Sequence, residues 1–310
     1  MTGQWGTRSR RSSHAGARSV ALACVCACRG GGGGAVDGVQ ARRRRRCGLA
    51  GAAGLAPAAK RAALGARLAR LAHGQRLVAA RSTRFSSTYR LADASLVTRV
   101  SSTPLNFRDA RGRWRAIDDT LVARDGAFAA RADAHGMRLP RQLSEGAAVS
   151  AGRERLSMRL MGAAGSAAVR GARARYRDVL PGVSAVYDAQ STGLREQLVL
   201  SDRRVPRSFR FRLRVSRGLR ARLTRGGSVV FSRGRSAVFV LPASVAFPQH
   251  DPTDRHAARS RLQRTGSRWS LTLTPNRRWL DRALQRGPVV VDPTIEIDSD
   301  SQTLKFTSEQ

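Results

Sequence analysis

The chain has 310 residues, 41% of them hydrophobic, enough for one large or two modest cores. Lys and Arg number 57 against 21 Asp and Glu, a formal net charge of +36. That excess excludes an anionic chain that repels polyanions; it points to an acidic partner such as nucleic acid, an anionic membrane surface or a cell-wall polymer. No apolar run approaches the roughly 18 residues of a transmembrane helix.

Lys60 and Lys305 are the only lysines. Nucleic-acid binders usually mix both cations, since lysine serves well as a point charge on phosphate. The lysine-poor, Arg-, Ala- and Gly-rich composition also matches GC-rich coding, so the charge has a second explanation.

Residues 1–80 differ from the rest. Asp37 is their single acid and Trp5 their single aromatic residue. Glycines 30–34 and the basic run Arg42 to Arg46 predict disorder over residues 1–56, through backbone entropy and self-repulsion. Leu64, Leu68 and Leu71 stand at helical spacing and predict a short, weak helix over 57–72. Arg8, Arg10, Arg11 and Arg18 precede an apolar run from Val20 to Cys28, which has the order of a secretion signal without a clean cleavage site. A start codon assigned upstream of the true one also accounts for this composition. All four cysteines, Cys24, Cys26, Cys28 and Cys47, lie here, at spacings unlike a metal knuckle.

From residue 81 period two dominates, and the fold class expected is all-β: antiparallel, sandwich-like units over 81–297, two of them, with a polar tail over 298–310. Phe209, Phe211, Leu213 and Val215 alternate with Arg210, Arg212 and Arg214, as on a strand with one face buried. Leu156, Met158 and Leu160 repeat the pattern, as do Trp269, Leu271 and Leu273. Turn residues separate the runs: Asp109 to Gly112, Pro181-Gly182, and Ser191 to Gly193. One short helix is predicted near the C-terminal end, from Asn276 to Leu284, stopped by Gly287-Pro288.

The chemistry-bearing positions are few. His250, Asp254 and His256 are the weak candidates for a metal or a general base; Pro252 places them in a loop, and no third ligand of a zinc set is identifiable, so no metal and no cofactor is expected. Asp118 and Asp119, adjacent on a strand, face opposite sides and cannot form a dyad. Asp292, Glu296, Asp298 and Asp300 lack calcium-loop spacing. No nucleophile elbow, phosphate loop or dinucleotide fingerprint appears, and the expectation is that the chain is not an enzyme. Arg210, Arg212 and Arg214 read as a solvated face whose stems cover apolar surface, or as contacts for an anionic polymer. Phe209 and Phe211 point away from them, so base stacking is not expected and DNA binding by the β-rich part should be weak and non-specific.

An ordered set of motifs carries a resemblance. Ser87-Thr88-Tyr89 is followed by Pro104 to Phe107, Asp109 to Trp114 and Ile117 to Leu121; then come Tyr176 to Val183, Tyr187, Leu194-Arg195-Glu196, Phe209-Arg210-Phe211, Trp279-Leu280 and Pro288 to Thr294. In this order they resemble the β-rich region preceding DNRLRE domains and Rhs (YD-type) repeats in large secreted proteins of high-GC bacteria. The likeness covers about residues 81–297. It implies an extracellular or wall-associated, non-catalytic structural or adhesive module, and it brings no catalytic residues. The alternative function is a non-specific binder of nucleic acid or another anionic polymer through the arginine excess.

Overall fold

The computed structural model describes residues 76–90, 96–266 and 268–297. The expected disorder over 1–56, the helix over 57–72, the signal and cysteine readings and the tail over 298–310 all lie outside the described residues.

The strands run β1 (Arg76–Leu77), β2 (Ser86–Arg90), β3 (Leu96–Val100), β4 (Asn106–Arg108), β5 (Trp114–Ala116), β6 (Asp118–Arg124), β7 (Ala127–Ala132) and β8 (Met137–Pro140). They continue as β9 (Ala147–Ala151), β10 (Glu154–Leu160), β11 (Ala167–Arg170), β12 (Arg173–Leu180), β13 (Val183–Gln190), β14 (Gly193–Leu200), β15 (Phe209–Val215) and β16 (Arg220–Leu223). The last are β17 (Val229–Arg233), β18 (Ser236–Leu241), β19 (Val245–Pro248), β20 (His256–Ala257), β21 (Arg259–Thr265), β22 (Arg268–Thr274), β23 (Val289–Asp292) and β24 (Ile295–Ile297). One α-helix, α1 (Arg277–Ala283), is present among the described residues.

The chain divides into two units. The described part of the smaller holds β3, with Val97 and Ser101 buried. The larger takes residues 77–88 and everything from Thr103 on. Because β1 and the 3-10 turn Ala79–Arg81 precede it, a boundary drawn at residue 81 falls inside structured chain; the elements begin at Arg76.

Two large antiparallel sheets dominate the larger unit, which also holds the two-stranded pair β4-β5. The first has eight strands in the order β21-β22-β15-β10-β9-β8-β7-β6. The second has eleven: β11-β12-β13-β14-β24-β18-β17-β16 in a row, with β23 joining β14 to β19 and β20 beyond it. β21 and β6 are the outermost strands of the first sheet, β11 and β16 those of the main row of the second. Their arginines include Arg259, Arg261 and Arg264 on β21, Arg220 and Arg222 on β16, and Arg170 on β11.

Register explains why the alternating runs became neighbours. Leu156, Met158 and Leu160 on β10 stand opposite Val215, Leu213 and Phe211 on β15, and Phe209, Phe211 and Leu213 stand opposite Leu273, Leu271 and Trp269 on β22. Every apolar residue on this side meets another, and such cross-strand pairs are what stabilise a sheet. Phe209, Phe211, Leu213, Leu156, Met158 and Leu160 are at most 1% exposed. The second sheet answers with Tyr176, Tyr187, Leu198, Phe231, Phe239 and Val291, all in the same buried cluster. One buried cluster draws residues from both sheets, within the antiparallel all-β fold the sequence predicts.

The helix forms as the sequence predicts. Asn276 caps it by accepting a hydrogen bond from the Trp279 N–H at 3.1 Å, and Trp279, Leu280 and Ala283 turn to the core. It ends before Gly287, whose φ of +145° suits only glycine, and the Gln249 N–H donates to the Pro288 carbonyl at 2.8 Å to begin the extended chain again.

Candidate functional site

The outer face of the eight-stranded sheet is cationic. On β15, Arg210 and Arg214 are exposed and Arg212 is half-buried, alternating with the buried Phe209, Phe211 and Leu213. The sequence places these three arginines on one face, and the structure does the same. Register extends the face across four strands. Arg159 stands opposite Arg212 and Ser157 opposite Arg214; Arg212 and Arg210 in turn face Ser270 and Thr272 on β22. Thr272 and Ser270 face Arg261 and Gln263 on β21. No Asp or Glu stands among these paired positions, and no aromatic ring does either; Trp269 belongs to the inner side, with the Arg264 guanidinium 5.4 Å from its ring centre.

Two arginines directly opposite each other on neighbouring strands repel. The Arg159–Arg212 pair is therefore a local cost, and the Arg159 Nε is buried and makes no hydrogen bond. At the end of the face a hollow of about 400 Å³ opens, where Arg138, Arg155 and Arg214 approach Ser157 and Ser216, with Glu145 as its one acid. Arg138 is partly engaged, donating from Nη1 to the Asp125 carbonyl at 3.0 Å.

His250, Asp254 and His256 fall together elsewhere, around a cavity of about 300 Å³ that Trp279, Arg282 and Arg286 also line. His256 opens β20; the other two lie in the loop after β19, as Pro252 predicts. The His256 Nε2 is 2.8 Å from Asp254 Oδ1, and its ring packs on Trp279 with centres 4.3 Å apart. Among the described residues, no group of three His, Cys, Asp or Glu is placed to hold a metal ion. Trp279, Arg282 and Arg286 escape a sequence reading because they join the loop from about thirty residues away.

Glu196 is a further site that the alternation could have exposed. It follows Leu194 and precedes Leu198 and Leu200 at period two, on the buried side of β14, and it is 0% exposed. Tyr187 stands opposite on β13, and the Tyr176 ring meets Tyr187 edge-on at 5.6 Å. The Tyr187 hydroxyl faces the carboxyl, but neither Glu196 oxygen completes a hydrogen bond of good geometry. Burial first, and the charge of Asp292 with it, push the Glu196 carboxyl up to about 8, so it is mostly protonated at neutral pH.

Asp118 and Asp119 part company, as adjacent strand residues should. Asp118 accepts from the Thr120 N–H and from Arg131, both at 3.0 Å, and is held below the usual carboxylate range chiefly by Thr120. Asp119 is raised by burial, and so is Asp133, to about 6, where the neighbouring Asp119 charge adds to the burial.

No protein-family model matches the chain, and neither a curated protein nor a solved structure matches it. Among the described residues, no helix is long and apolar enough to cross a membrane.

Proposed function

We propose that the chain is a non-catalytic structural or adhesive module of a secreted or wall-associated protein, and that its adhesive surface is the arginine face of the eight-stranded sheet. The partner is an anionic polymer of the cell wall or its surroundings. One observation carries the reading: Arg159 and Arg212 stand opposite each other, with no acid among the paired positions around them. A polyanion laid along the face would relieve that repulsion and release its own counterions, which makes such contacts strongly salt-dependent. The absence of an outward aromatic ring on the paired positions of these four strands favours a polymer gripped by charge over a nucleic acid gripped by stacked bases.

The test uses the full chain and a variant with Arg210, Arg212 and Arg214 all changed to Gln, titrated with inorganic polyphosphate, polygalacturonate and single-stranded DNA at several salt concentrations. The variant should lose at least tenfold in affinity for the first two polymers. The slope of log affinity against log salt should become shallower by roughly two to three, about 0.7–0.9 for each lost charge contact. Unchanged affinity and slope would place the binding outside this face. DNA bound more tightly than both other polymers, with the same loss in the variant, would favour the nucleic-acid function instead.

A further inference from the structure

The cavity beside α1 has a lining of two characters. Arg282, in the last turn of the helix, and Arg286, in the turn that follows, both line it. Both are exposed, and among the described residues neither guanidinium has a hydrogen-bond or ion-pair partner. Two free forks lining one cavity match a carboxylate or phosphate, each able to donate two parallel hydrogen bonds.

The rest of the lining includes acceptors already partly satisfied. Asp251 Oδ1 accepts from the Thr253 N–H at 3.1 Å and from its hydroxyl, and Asp254 Oδ1 is held by His256. Trp279, 9% exposed and covered by the His256 ring, makes a rigid floor. His250 also lines the cavity, close to Gly287, the residue after Arg286.

A bare inorganic anion would satisfy the arginines and be repelled by the carboxylates. A neutral sugar would satisfy the carboxylates and leave both guanidiniums idle. A simple zwitterion would bring one ammonium, a donor alone, to a wall whose carboxylates are already half engaged and whose imidazoles offer both roles. Hydroxyl groups donate and accept, and so suit that wall better.

We propose that this cavity binds a sugar acid, its carboxylate held by Arg282 and Arg286 and its hydroxyls facing Asp251, Asp254 and His250. The volume of about 300 Å³ is at the small end for ligand sites and suits a single residue rather than a chain. The site goes beyond the polymer face, since it reads one terminal or free saccharide by shape and polarity.

The experiment is isothermal titration of the full chain with glucuronate, glucose, inorganic phosphate and alanine in turn, followed by the Arg282→Gln, Arg286→Gln double variant and by Asp251→Asn. Glucuronate should bind at least tenfold more tightly than each of the other three. The double variant should lose at least tenfold for glucuronate, and Asp251→Asn several-fold, with thermal unfolding of both variants unchanged. The triple variant at Arg210, Arg212 and Arg214 should bind glucuronate normally, so failure of the polymer reading leaves this one standing. Equal binding of phosphate or alanine, equal binding of glucose, or no binding of glucuronate by the native chain would each overturn the proposal. Should the double variant unfold, the selectivity among the four ligands and the Asp251→Asn effect still decide it.

Discussion

Replacing Glu196 by Gln should make the protein progressively more stable than the native chain as pH rises from about 5 to about 8. The carboxyl titrates near 4.5 in the unfolded chain and near 8 in the folded one, because β13 on one side and β23 and β24 on the other exclude water from it. A folded-state value above the unfolded one means that the native chain holds a proton which the unfolded chain has released. Stability from this group is complete below about pH 4.5, falls as pH rises, and is gone above about pH 8. Each pH unit of the window is worth ~1.4 kcal/mol, so the whole fall is about 5 kcal/mol. That is comparable with the entire margin of a modestly stable protein, since roughly 5–15 kcal/mol separates folded from unfolded chains. Glutamine keeps the shape and cannot ionise. Urea unfolding of both proteins, followed by circular dichroism from pH 5 to pH 9, gives the comparison. Asp133, raised to about 6, bends both curves alike and drops out of their difference. The difference should grow by roughly 1 kcal/mol per unit between pH 5 and pH 8 and then level off. Parallel curves over that range would refute the reasoning, since they would mean that Glu196 meets the same environment folded and unfolded.

Gly193→Ala should destabilise by at least about 2 kcal/mol in the same denaturant assay, because its φ is +149° and a Cβ there would run into the Ile295 carbonyl oxygen. Phe211→Ala removes a fully buried ring where three strands meet and should cost about 3–5 kcal/mol by the same measurement. Asn276→Ala should cost about 1 kcal/mol, read as a small drop in thermal midpoint, through loss of the cap on the Trp279 N–H.

Local features of the fold were readable because they follow from local physics. The alternation at 209–215, 156–160 and 269–273 placed strands now seen as β15, β10 and β22, and the run from Asn276 placed α1 with its cap. Strand order was not readable. β10 pairs with β15 only after four intervening strands have entered the other sheet, and β15 pairs with β22 across a longer excursion still. Nothing in the local period specifies which apolar face will meet which. The candidate sites divide along this line. Arg210, Arg212 and Arg214 share a face by period alone, whereas Arg159, opposite Arg212 on the neighbouring strand, enters only through cross-strand register. Glu196 was legible as an acid in the apolar phase of β14, but its neighbours Tyr187 and Asp292 come from other strands.

The outermost strands of the two sheets carry a consequence for how copies of the chain behave together. A strand at the end of a sheet offers unpaired backbone groups to any other strand that can approach, and this is how folded β proteins begin to join edge to edge. Here such approaches bring arginines on β21, β16 and β11 against their own kind. The repulsion acts over the screening length, about 8 Å at physiological salt and shorter at higher salt. Solubility of this protein is thus set partly by its surroundings: dilute electrolyte keeps the edges apart, and concentrated salt, or a multivalent anion bridging two guanidinium rows, removes what separates one sheet from the next.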